Sequence, residues 1–310
     1  MPHLPRREFL RHALASTATL TGLLGPWTSR LAQAIEPLKR HGGPFFKYSL
    51  AAYSFRDHLQ KKSGEYTLHD FVRTCADLQL EGTELTSYYF PKDFTSEYLR
   101  ELKQHCFVLG LNVSGTAVGN DFCVPPGAKR DAEIAAVKQW IDHAAILGAP
   151  VIRIFSGSAK LRQSVAEAHR LAVEAMEQCC DYAGQRGVYL ALENHGGLTD
   201  TVEGMLSLVR DVKSPWFGVN VDTGNFHTPD PYSDLAKIAP YAVNVQVKVS
   251  MQPAGAPRAQ ADFARLAQIL KDSGYRGYIV LEYEERDDPR QGVPRWTAEM
   301  KRAFSAALAG

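Results

Sequence analysis

The stretch AVNVQVKVS (242–250) alternates without a break. Val243, Val245, Val247 and Val249 fall on one face of an extended chain, and Asn244, Gln246, Lys248 and Ser250 fall on the other. An edge strand would turn that polar row to water, whereas a strand of a closed barrel turns it toward the barrel axis. The rest of the chain decides between the two. Four apolar runs come early: KYSLAAYSF (47–55), GTELTSYYF (82–90), LNVSGTAVG (111–119) and PVIRIFSG (150–157). Two more precede the opening stretch and one follows it: VYLALENHG (188–196), FGVNVDTGN (217–225) and GYIVLEYEE (277–285). Helical spacing fills the intervals. Leu68, Phe71, Val72 and Cys75 recur at i, i+3, i+4 and i+7, as do Val202, Met205, Leu206 and Val209. Phe263, Leu266, Ile269 and Leu270 nearly match, and a last helix is expected over 296–309. Gly148, Gly187 and Gly274 stand where three helices should stop. Strand and helix thus alternate eight times, which implies right-handed crossovers and a parallel sheet. Eight such units predict an α/β fold, a single (β/α)8 TIM barrel over residues 45–310. The glycine motifs of nucleotide-binding open sheets are absent.

A chain of 310 residues suits one such barrel, and no break in composition divides it. The formal net charge of +1 offers no basic field for nucleic acid, and no apolar run has transmembrane length. The N-terminus reads separately. PRREFLRH (5–12) leads into the mildly apolar ALASTATLTGLLG (13–25) and then Ala32-Gln33-Ala34, an A-x-A cleavage pattern. Residues 1–34 resemble a twin-arginine export signal, which implies a periplasmic protein and no stable membrane insertion after signal removal. Cys75, Cys106, Cys123, Cys179 and Cys180 show no metal-type spacing and are expected as buried thiols, with one disulfide left open.

In a barrel of this kind, chemistry gathers at the strand C-termini. The later strands end in Glu193-Asn-His195, in Asp222-Thr-Gly-Asn225, in Gln246 and Lys248, and in Glu282-Tyr-Glu284. Taken singly, each has a plain structural reading; Asp222-Thr-Gly-Asn225 reads equally well as a turn. Together they place one oxygen donor on each of four consecutive strands. Carboxylates gathered inside a barrel need positive charge between them, and Glu193, Asp222, Gln246 and Glu282 form an oxygen-rich set suited to one hard divalent ion. Lys248 or Arg153 would offset the remaining negative charge.

ALENHGG, VNVDTGN, VQVKV and VLEYE, in this order, resemble the xylose isomerase-like barrels, a superfamily of sugar isomerases, epimerases and dehydratases. The resemblance is strongest from Val188 to Glu285. It implies one metal ion on Glu193, Asp222, Gln246 and Glu282. Gln246 departs from the histidine usual at that position, which favours Mn²⁺ or Mg²⁺ over Zn²⁺. The implied chemistry is proton transfer beside a sugar carbonyl through an enediolate, with Glu193 and Glu282 as the exchanging pair. His195, Lys248, Arg153, Glu84 and Asn225 would bind the substrate. Tyr53, Phe55, Tyr88 and Tyr89 are expected either as walls for a sugar ring or as core. The expected partner is therefore a small sugar or sugar derivative, and homo-oligomerisation stays open. Two alternatives stand beside the isomerase or epimerase reading. One is a lyase or dehydratase acting on keto-sugars or 3-keto-glycosides by β-elimination; the other is a non-catalytic sugar-binding barrel.

Overall fold

The alternation at 242–250 is that of a barrel strand. In the computed structural model, which describes residues 36–60 and 65–309, Ala242–Lys248 forms β7, hydrogen-bonded on both sides. The expected export signal over 1–34 lies outside the described residues. The barrel strands are β1 (Phe45–Ala51), β2 (Gly82–Thr86), β3 (Asn112–Ala117) and β4 (Val151–Ile154). They continue with β5 (Tyr189–Glu193), β6 (Phe217–Asp222), β7 and β10 (Arg276–Glu282). All are parallel and close in the order β1-β10-β7-β6-β5-β4-β3-β2. Between β7 and β10 a short antiparallel ribbon pairs β8 (Ser250–Met251) with β9 (Ala259–Gln260) at the barrel rim. The eight expected strands are all present, and most stop several residues before their apolar runs end. The reason is functional geometry: past Ala51, Thr86, Ile154, Glu193 and Asp222 the chain leaves the ladder to form loops over the C-terminal mouth.

Alongside α1 (Arg56–Leu59), α3 (Ser96–Val108) and α7 (Pro231–Ile238), the helices with the clearest spacing bury the faces that it requires. In α2 (Leu68–Asp77) the buried residues are Leu68, Phe71, Val72 and Cys75. Its start is fixed by a capping box, in which Thr67 accepts the Asp70 N–H and Asp70 accepts the Thr67 N–H. In α6 (Val202–Asp211), Val202, Met205 and Val209 are buried, and Leu208 replaces the expected Leu206 as the fourth. In α8 (Phe263–Asp272), Ala267 takes the place expected for Ile269. Each replacement lies two positions along its helix, on the other flank of the buried stripe, and Leu206 and Ile269 still pack partly buried against the core. The long helices α4 (Ala128–Leu147) and α5 (Val165–Arg186) end at Gly148 and Gly187, with φ of +77° and +69°. That left-handed geometry is one that glycine adopts without strain. The final helix, α9 (Pro289–Ala309), begins seven residues earlier than 296, because Asp288 caps it by accepting the Arg290 N–H and Pro289 fits its first turn. The five cysteines are free and buried.

Valines 245 and 247 of β7 are fully buried toward the helices, and Asn244 and Gln246 are buried just as deeply on the other side. The polar row therefore points inward, and its hydrogen bonds cross the barrel. Asn244 donates to Glu84 Oε2 on β2 at 2.8 Å, and Gln246 donates to Glu84 Oε1 at 2.6 Å.

Candidate active site at the C-terminal mouth

Glu193, Asp222, Lys248 and Glu282 are the last residues of β5, β6, β7 and β10, so the barrel sets four charged side chains at one depth. Each is less than 9% exposed. Burying such charges is tolerated only where they are paired, and here they are. Arg153 on β4 brings its Nε within 2.8 Å of Glu193 Oε2, and Asn225 donates to Glu193 Oε1 at 2.8 Å. The Lys248 ammonium stands 3.2 Å from Asp222 Oδ2, 3.1 Å from Glu282 Oε1 and 3.0 Å from Glu284 Oε1. The turn reading of Asp222-Thr-Gly-Asn225 also holds, because Asp222 Oδ1 accepts the Gly224 N–H at 2.8 Å. Its Oδ2 has no hydrogen-bond partner in good geometry and depends on Lys248 for counter-charge.

Below this layer lies a second one. Glu84 accepts from both Asn244 and Gln246, Asn244 also donates to Asn220 Oδ1 at 2.8 Å, and Asn220 donates to Gln246 Oε1 at 2.6 Å. This closed ring of amides around one carboxylate changes two expectations. Glu84 is fully buried with both oxygens occupied, so it fixes Gln246 and does not line the mouth. Gln246 has its carbonyl oxygen and its amino group both engaged within the ring. Asn220 and Asn244 were legible as inward positions from the same period-two alternation that flags Asp222 and Gln246. Asn194 had no such signal. It clamps β6 by accepting the Asp222 N–H and donating to the Asp222 carbonyl, each at 2.9 Å.

The charge balance is uneven. Among the described residues, the ion pairs to Glu193, Asp222, Glu282 and Glu284 come from Arg153 and Lys248, and Glu84 is held by amides. Burial pushes Glu193 up to about 7, with Arg153 opposing and Glu282 adding to the rise. Burial likewise pushes Asp222 up to about 8 against the pull of Lys248, and Glu84 up to about 7 with help from Glu282. Burial pulls Lys248 down, but Asp222, Glu282 and Glu284 outweigh it and hold the ammonium charged well above its ordinary range.

The rim is aromatic. Phe155 lies with its ring centroid 4.6 Å from that of His195 and carries the Arg153 guanidinium at 4.0 Å. His195 is exposed at this edge. Tyr53 faces Lys248 at 6.0 Å, and Tyr88 is open to solvent. Phe55 and Tyr89 are buried, and Phe55 stacks on Tyr66, so those two belong to the core. A groove lined by Asn225, His227, Lys248, Ser250, Arg258 and Glu284 opens beside the lysine.

A hard divalent ion needs several oxygens free to converge on it. Gln246 offers none. Glu193 spends one oxygen on Arg153 and the other on Asn225, Asp222 Oδ1 is held by a backbone N–H, and the lysine ammonium fills the space between Asp222 and Glu282. Among the described residues no group of three or more His, Cys, Asp or Glu side chains is arranged to hold a metal ion. The donor set as this fold arranges it does not fit the expected Mn²⁺ or Mg²⁺ shell, and no step below runs through one.

A closed parallel barrel with paired carboxylates and cations at its strand C-termini is the architecture of a barrel enzyme. The family model "Xylose isomerase-like TIM barrel" matches residues 72–304, and the chain belongs to that family. None of the curated proteins matches it significantly. Among solved structures it is similar to an L-ribulose 3-epimerase, with a TM-score of 0.67 and 17% identity over 86% of this chain and 96% of that one. It is also similar to the 3-keto-D-glucoside 4-epimerase of E. coli, with a TM-score of 0.66 and 13% identity over 84% and 99%. A probable 3-DHS dehydratase from Bacillus anthracis gives a TM-score of 0.60 and 19% identity over 82% and 97%. At such identities the likeness shows the fold.

Proposed function

We propose that this protein is a sugar isomerase or epimerase that moves a proton beside a carbonyl. The observation that carries this reading is the placement of Glu193 and Glu282. They end strands three steps apart around the eight-stranded ring, both are buried at the mouth, and each meets a cation, Arg153 for Glu193 and, for Glu282, the Lys248 that it shares with Asp222 and Glu284. A sugar lying between them meets a carboxylate on each side. One carboxylate takes the proton from the carbon next to the carbonyl; the C–H electrons form the C=C bond of an enediolate, and the carbonyl pair moves to oxygen. The carboxylic acid on the other side then delivers a proton. Delivery to the opposite face of the same carbon is epimerisation; delivery to the neighbouring carbon, with the hydroxyl proton passing from one oxygen to the other, is isomerisation. Phe155, His195 and Tyr53 wall the ring, and Asn225 and Arg153 orient Glu193.

The test is deuterium exchange from solvent into a panel of free keto-sugars and oxidised glycosides, the substrates open to an exported enzyme. Exchange is expected in the wild type. Glu282→Gln should slow it by about 10²- to 10⁴-fold, as for loss of a positioned base, with the fold kept. Undiminished exchange in that variant removes Glu282 from the mechanism.

One observation favours β-elimination as a second reading. Asp222 and Glu193 are carboxyls pushed toward neutral pH, and an expelled alkoxide needs such a proton donor. Release of a free alcohol from a 3-keto-glycoside would identify it. Export is likewise part of the proposal: replacing Arg6 and Arg7 by lysine should leave the protein in the cytoplasm on cell fractionation.

A further inference from the structure

We infer that the Lys248 ammonium holds the place of a divalent ion in this barrel, so that the site works without a metal and the lysine itself polarises the substrate carbonyl. Three carboxylate oxygens, on Asp222, Glu282 and Glu284, surround Nζ at 3.0 to 3.2 Å. The contacts are ionic, and Asp222 Oδ2 accepts no well-aligned hydrogen bond, so the ammonium serves as the counter-charge at the centre of this shell. The shell is also asymmetric. Asp222 and Glu282 are buried, whereas the Glu284 side chain is 35% exposed at the groove, so Glu284 is the partner a substrate oxygen displaces.

The lysine is built into this position. Its backbone N–H is held by Thr223 Oγ1 at 2.9 Å. Gly224 leaves room for its stem: a Cβ there would lie 2.6 Å from Lys248 Cγ. Beneath it, the amide ring around Glu84 keeps the Gln246 oxygen turned away from the mouth. The wall that would complete a metal shell is thus spent on packing, and the cation arrives on a side chain.

The catalytic half of this inference rests on the proton-transfer reading above. As the base removes the proton and the carbonyl pair moves to oxygen, an N–H of Lys248 hydrogen-bonds the enediolate oxygen in place of Glu284. The ammonium keeps its proton, and the balance of the step is unchanged.

The experiment uses the full-length protein, dialysed free of metal and titrated with Mn²⁺ and with Zn²⁺, with elemental analysis and thermal melts as readouts. The wild type is expected to retain no stoichiometric metal and to melt at a temperature independent of Mn²⁺ concentration, since a ligand that does not bind the native state cannot stabilise it. Deuterium exchange should be indifferent to EDTA. Lys248→Met empties the centre of the shell, so its melting temperature should climb with Mn²⁺ concentration, while exchange falls by about 100-fold or more, as when an oxyanion donor is lost. A stoichiometric metal in the wild type, or exchange abolished by EDTA, overturns the inference. A folded Lys248→Met that gains no Mn²⁺ affinity also counts against it. If Lys248→Met does not fold, the wild-type metal content decides alone. If no sugar exchanges, the proton-transfer reading fails, and the metal measurements still decide whether lysine is the resident cation.

Discussion

Glu84 is the residue at which burial and charge compete most openly. It sits inside the barrel at 0% exposure, and its carboxyl is pushed from an ordinary 4.5 up to about 7, first by burial and then by Glu282. Because the folded value is the higher one, the folded state binds more protons than the unfolded state between those two values. The stabilising contribution is therefore complete below about 4.5 and is lost as pH rises through about 7. Glu193 and Asp222 act in the same direction. Thermal melts should fall as pH is raised from about 5 to about 8. Glu84→Gln, which cannot titrate, should flatten that slope. A slope unchanged in the variant would show that Glu84 is not the group that titrates.

At the scale of elements, two features hold the mouth in shape. Asn194 imitates one more residue pair between β5 and β6, so the ladder in effect continues past Glu193. Asn194→Ala leaves the buried N–H and carbonyl of Asp222 without those partners and should cost about 2–3 kcal/mol, read as a lower urea midpoint at constant slope. The α5 stop at Gly187 is different in kind. Nothing lies within 4 Å of a Cβ placed there, so only its φ of +69° resists substitution. Gly187→Ala should therefore cost about 1 kcal/mol, and a larger loss would reveal a packing role.

For the molecule as a whole, closure of the barrel explains why the cysteines are silent. All five are free and buried, and burial pushes their thiols well up; Cys75, Cys106, Cys123 and Cys179 reach about 12. A thiol reagent should find none of the five in the native protein and all of them after denaturation, and a reductant should leave the melting temperature unchanged. Rapid native labelling would mean that the barrel opens locally far more often than its packing suggests. No described helix is long and apolar enough to cross a membrane.

The sequence by itself determined the eight barrel strands, their parallel closure, and which residues end them at the mouth. Alternation and helical spacing are local, and each reports which side of one element is buried; the buried face of α2 is a case read without error. What the alternation of 242–250 left undecided was what its polar row would meet. Only the tertiary structure brought Asn244 and Gln246 across the barrel to Glu84, and drew Lys248 between Asp222, Glu282 and Glu284. Four oxygen donors at strand ends read as a ligand set while each strand is considered alone. Once the strands close, hydrogen bonds and ion pairs among those same side chains compete for every oxygen, and that competition depends on distances between residues far apart in the chain.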